Sequence, residues 1–84
     1  MEILKNKVAI ITGGGAGIGK ATAEVFLKEG AKIMLVDWQE TSLKETVKAL
    51  NSPNVSYMIA DVSNESAVQK FTAATIKQFG KIDI

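Results

Sequence analysis

The sequence has 84 residues, enough for one small domain that buries only about 60–65% of its unfolded surface. Its charged residues balance to a net charge of +1 without any basic run, which argues against an electrostatic nucleic-acid binder. With no cysteine and no histidine, disulfides, thiolate metal sites and the commonest general base are excluded.

The N-terminal apolar stretch is broken by Lys5 and Lys7, so it does not read as a signal peptide. No apolar run approaches the roughly 20 residues that a membrane-spanning helix needs. A soluble, cytoplasmic protein is the expectation.

Residues 8–12, V-A-I-I-T, form a short apolar run rich in β-branched side chains, bounded by Lys7 and Gly13. A strand buried on both faces reads this way. Residues 18–29 follow as a helix, with Ile18, Ala21, Val25 and Phe26 at helical spacing and Gly30 as its stop. Residues 33–36, I-M-L-V, make a second apolar strand that ends on Asp37. Residues 41–50 carry Leu43, Val47 and Leu50 on one helical stripe, broken by Asn51-Ser52-Pro53-Asn54. Residues 55–60 read as a third strand closing on Asp61. Residues 64–79 form a longer amphipathic helix, with Val68, Phe71, Ala74 and Phe79 in one stripe and Gly80 as its cap. Ile82-Asp83-Ile84 look like the opening of a fourth strand.

Strands alternate with helices, and the strands are apolar throughout. Both signs predict an α/β fold with a doubly wound parallel sheet. Right-handed crossovers place the first strand centrally and give the order 3-2-1-4. A central strand that stopped after three residues would leave its neighbour unpaired. Residues 1–84 are therefore expected to be the N-terminal part of a single Rossmann-like domain, cut at the start of its fourth strand.

Thr12 to Thr22 reads T-G-G-G-A-G-I-G-K-A-T, with five glycines in seven positions. Two phosphate cradles overlay it. The phosphate loop G-x-x-x-x-G-K-[ST] is met by Gly14, Gly19 and Lys20, but Ala21 stands where a magnesium-binding hydroxyl is required. The strict G-x-G-x-x-G frame does not fit, whereas T-G-x-x-x-G-x-G does, through Thr12, Gly13, Gly17 and Gly19. In that frame Gly13 turns the chain out of the strand, Gly17 keeps bulk away from phosphates and Gly19 lets the helix pack closely. The helix that follows presents free N–H groups and a partial positive charge to a pyrophosphate.

Asp37 ends the second strand 20 residues after Gly17, where a carboxylate can accept from the ribose hydroxyls of an adenosine. The same carboxylate repels a 2′-phosphate, and neither Ala16 nor Trp38 is basic, so NAD is expected in preference to NADP. Asp61, within A-D-V-S, stands at the next strand end, with Val62 placed to lie along an adenine ring. Two readings stay open there: Asp61 accepts from the adenine amino group, or Asp61 or Ser63 caps the following helix. Trp38 is similarly open between walling an adenine pocket and covering the start of the second helix.

Together, K-V-A-I-I-T-G-G-G-A-G-I-G, the Asp37 strand end, A-D-V-S and F-G-K-I-D-I resemble the short-chain dehydrogenase/reductase family across essentially the whole chain. The resemblance implies an oxidoreductase that moves hydride between a nicotinamide and a small alcohol or carbonyl, working as a homodimer or homotetramer. It implies cofactor contacts at Gly13, Gly15, Ala16, Gly17, Ile18, Gly19, Asp37, Asp61 and Val62, and Trp38 beside Asp37 is expected to join them. The family's Asn-Asn-Ala-Gly, its catalytic serine and its Tyr-x-x-x-Lys are not in these residues. Tyr57 is the only tyrosine and has Asp61, not lysine, four positions on. The piece is thus expected to hold half a cofactor site, with no catalytic residue and no turnover of its own. The alternatives are a stand-alone adenine-dinucleotide module and, through the Gly14 to Lys20 overlay, a nucleotide hydrolase.

Overall fold

A computed structural model describes residues 3–13 and 17–84. Six elements alternate in the order β1 (Val8–Thr12), α1 (Gly17–Lys28), β2 (Lys32–Asp37), α2 (Glu40–Leu50), β3 (Val55–Ile59) and α3 (Glu65–Phe79). The strands form one parallel sheet in which β2 lies between β1 and β3. Val8 pairs with Lys32 and Thr12 with Val36, while Ile33 pairs with Val55 and Asp37 with Ile59. All three strands therefore finish at one edge of the sheet.

The unbroken apolar character of β2 follows from burial on both faces. Ile33 and Leu35 point into one core with Ile11, Ala23 and Leu43, where α1 and α2 pack. Met34 and Val36 point the other way, into a smaller core around Phe71 of α3. Side chains alternate in direction along a strand, so two helix layers need an apolar residue at every position of the strand between them. This is the doubly wound arrangement expected from the sequence.

Helix ends follow local chemistry. Gly30, at φ +92°, closes α1 with Gly30 N–H donating to the Leu27 carbonyl and Ala31 N–H to the Phe26 carbonyl, the paired bonds of a Schellman ending. Asn51 ends α2 in the left-handed region. Asn64 opens α3 by accepting from the Ala67 amide at 3.1 Å, and Gly80 closes it at φ +88°.

One expectation needs correction and a second is met only in part. Of the stripe proposed for α1 only Phe26 packs on the core, since Ile18 is 85% and Val25 57% exposed and Ala21 is exposed too. Ala23 is buried beside it, and Leu27 packs against the same core. More than one face of this short helix carries apolar residues at helical spacing, and the sheet buries the one that includes Ala23. Secondly, no fourth strand is assigned among the described residues. The order 3-2-1 is present, and residues 83 and 84 hydrogen-bond to the free edge of β1 without forming a regular strand.

None of the described helices is long and apolar enough to cross a membrane. No cluster of three metal-binding side chains occurs among the described residues.

Candidate functional site

The common edge where the three strands finish is also where the chain leaves the sheet three times, and a cleft of about 440 Å³ opens there. Thr12 and Gly13 line it from the end of β1, Asp37, Trp38 and Gln39 from β2, and Ala60, Asp61 and Val62 from β3. Backbone bonds tie these exits together. Gly13 N–H donates to the Val36 carbonyl at 2.8 Å, and Ala60 N–H to the Asp37 carbonyl at 2.9 Å. Residues far apart in sequence thus share a rigid rim.

Two carboxylates face this cleft from neighbouring strand ends. Asp37 is half-buried and its Oδ1 accepts from the Gln39 amide at 3.2 Å. That local turn steers the chain from β2 into α2 while leaving the acid on the rim. Asp61 Oδ1 accepts from the Ser63 hydroxyl at 2.7 Å and the Ser63 amide at 2.9 Å. The Ser63 hydroxyl first, and then its amide, hold the Asp61 carboxyl below the usual carboxylate range. Asp61 consequently stays ionised well into acid. Of the two roles open for this corner, helix capping falls to Asn64 instead, whose side chain makes the N-cap bond.

Trp38 stands on the wall of the cleft with 69% of its surface exposed. Val62, beside Asp61, is also exposed. Large apolar side chains left in water at a concave site are natural platforms for a flat, partly apolar ligand.

The glycine segment is partly described. Gly13 has φ +69° and Gly17, at the start of α1, has φ +57°. A Cβ at either would meet no heavy atom within 4 Å, so the backbone conformation, not crowding within the chain, is what favours glycine there. The free space on that side is open to a ligand. Ile18 and Gly19 lie in the first turn of α1 and do not line the cleft. Gly15 and Ala16, together with Gly14 of the phosphate-loop overlay, lie outside the described residues.

Of the ten residues expected at a cofactor site, the cleft brings together Gly13, Asp37, Trp38, Asp61 and Val62. Thr12, Gln39 and Ala60 line it as well and had not been singled out as contacts. Their signal was position, since each lies within two residues of a strand end that carries a singled-out residue. Tyr57 sits within β3 and does not line the cleft.

A family model described as short chain dehydrogenase matches residues 7–84. Secoisolariciresinol dehydrogenase of Forsythia intermedia is 41% identical over 81 residues, which cover 96% of this chain and 29% of that protein. Among solved structures, a short chain dehydrogenase/reductase from Burkholderia phymatum in complex with NAD superposes with a TM-score of 0.91 at 39% identity, covering 98% of this chain and 30% of that one. A 3-ketoacyl-(acyl-carrier-protein) reductase from Brucella melitensis, complexed with NADH, gives a TM-score of 0.90 at 35% identity, covering 95% of this chain and 32% of that one. The chain therefore spans about three-tenths of the length of these proteins.

Proposed function

The chain belongs to the short-chain dehydrogenase family, and from that premise we propose that its strand-end cleft binds the adenosine half of NAD. Residues 1–84 then act as the N-terminal, cofactor-binding portion of a single Rossmann domain. The enzyme completed by the rest of that domain is an oxidoreductase that interconverts an alcohol and a carbonyl.

The observation that carries this reading is the convergence of Asp37, Trp38 and Asp61 on one cleft at the carboxyl ends of β1, β2 and β3. The residues present suit the group. The cleft falls within the roughly 300–1,000 Å³ typical of small-molecule sites. Gly13 and Gly17 leave open the side where a Cβ would stand, so a pyrophosphate can approach the backbone. When bound, the nicotinamide supplies the hydride acceptor or donor.

This chain's own residues bind and orient. Asp37, fixed by the Gln39 amide, accepts from ribose hydroxyls and disfavours a 2′-phosphate through its charge. Trp38 and Val62 flank the purine, and Asp61 accepts from its amino group while the Ser63 bonds keep that carboxylate charged. The N-terminal turn of α1 presents amides to the pyrophosphate. We assign no proton-transfer residue to these 84 positions.

Calorimetric titration of the chain with NAD, NADP and AMP tests the reading. NAD and AMP should bind and NADP should bind more weakly. Equal affinity for NAD and NADP, or no binding of AMP, would refute the assignment of the cleft. Turnover of an alcohol by the 84-residue chain itself would refute the division of labour.

A further inference from the structure

The segment after α3 reaches the edge of β1 that β2 leaves free, and it runs parallel to β1. The Val8 carbonyl accepts from the amides of Asp83 at 2.8 Å and Ile84 at 3.1 Å, and Ile10 N–H donates to the Ile84 carbonyl at 3.1 Å. In a parallel ladder, the N–H and C=O of one residue bond to the residues before and after its partner. With Asp83 opposite Val8, the Val8 N–H is due to meet the carbonyl of Ile82. It donates instead to Oδ2 of Asp83, at 2.9 Å. The same oxygen lies 3.0 Å from Lys81 Nζ.

We infer that the Asp83 carboxylate forms the first rung of a fourth strand, replacing the Ile82 carbonyl and setting the register in which the chain joins β1. Asp83 is a positioning residue in this role. It grips both backbone groups of one residue: its amide holds the Val8 carbonyl and its side chain holds the Val8 N–H. A slip of one residue turns the acid to the opposite face of the segment. A slip of two carries it roughly 6.6 Å along the strand, out of reach of Val8. Either slip takes the carboxylate acceptor away from the N–H of Val8, which is 1% exposed, and a buried amide needs a partner.

The charges around the group favour the ionised acceptor. The Val8 amide first, and then Lys81, hold the Asp83 carboxyl below the usual carboxylate range, with Lys7 adding to the effect. The rung also explains why 82–84 read as a strand yet do not form a regular one: a side chain makes its opening bond. From Val8 the segment heads toward the carboxyl end of β1, the end that carries the cleft. The inference does not depend on what that cleft binds.

Residue-resolved hydrogen exchange on the 84-residue chain tests it, with Asp83→Ala and Asp83→Asn beside the parent. Ala60, bonded to the Asp37 carbonyl, and Ile33, bonded to the Asn54 carbonyl, serve as references away from this edge. In Asp83→Ala, protection of Ile10 and Ile84 should fall by about tenfold or more while Ala60 and Ile33 keep theirs. Asp83→Asn retains an oxygen acceptor and should recover part of that protection. Unchanged protection at Ile10 and Ile84 in Asp83→Ala would overturn the inference, as would an equal loss at all four amides in both variants. If Asp83→Ala fails to fold, Asp83→Asn decides. A selective loss at Ile10 and Ile84 supports the rung, and parental or evenly reduced protection removes it.

Discussion

Replacing Asp37 with serine separates charge from turn geometry at the cleft. Serine can still accept weakly from the Gln39 amide that Asp37 Oδ1 holds at 3.2 Å, so the exit from β2 should survive. What disappears is the carboxylate proposed to receive ribose hydroxyls. A hydrogen bond to a charged group contributes about 1.5–3 kcal/mol net. At 1.36 kcal/mol per tenfold, NAD should bind at least about 10-fold more weakly. For NADP the sign reverses, because two like charges about 5 Å apart repel by roughly 3 kcal/mol at an effective dielectric constant of 20. Asp37 is half-buried, so solvent screening reduces that figure, and relief of roughly half of it raises NADP affinity about tenfold. The ratio of the two affinities should therefore move by about a hundredfold. Trp38 is the sole tryptophan and stands in the cleft, so its fluorescence can report both titrations without a label. If Asp37→Ser weakened NAD and NADP by the same factor, the carboxylate would not be reading the ribose, and the argument would fail.

Three further outcomes concern stability and pH. Leu43 is fully buried where α2 packs on the sheet, so Leu43→Ala should cost about 2–5 kcal/mol in urea unfolding, a large share of the stability of a small domain. Asn64→Ala removes the cap bond to Ala67 and should lower stability by about 1 kcal/mol, with Asn64→Asp restoring it; equal melting of all three proteins would dismiss the cap. Asp61 and Asp83 both have lowered carboxyl pKa values, so unfolding takes up protons in acid, and their stabilisation is present above the usual carboxylate pKa and lost as pH falls through the folded values. The Asp61→Asn/Asp83→Asn double variant should show a shallower decline of stability below about pH 4 than the parent, and parallel declines would contradict the assignment.

Much of this architecture was legible because its signals are local. Unbroken apolar runs at 8–12 and 33–36 could satisfy only strands covered on both faces. Gly30, Asn51 and Gly80 stop helices through backbone preferences that need no partner, and each ends its helix in the left-handed region. Asp37 and Asp61 were identifiable because each closes an apolar run, and parallel strands bring such ends to one edge. Thr12 was legible only as the first letter of the glycine motif, and Gln39 and Ala60 were missed as contacts because nothing in their own chemistry marks them and only the shape of the rim recruits them.

The sequence by itself determined the order of elements, their parallel arrangement and the edge at which the acids gather, since each follows from side-chain periodicity and chain direction. Tertiary structure decided which face of α1 is buried, because Ile18, Ala21 and Val25 share helical spacing with Phe26 yet stay exposed, while Ala23 and Leu27 join Phe26 on the core. Only contact with the sheet makes that choice. It also decided how residues 83 and 84 meet β1, through a bond between Val8 and a side chain 75 positions away. Local pattern carries no information about that distance, and the acid in I-D-I acquires its role when folding brings Val8 beside it.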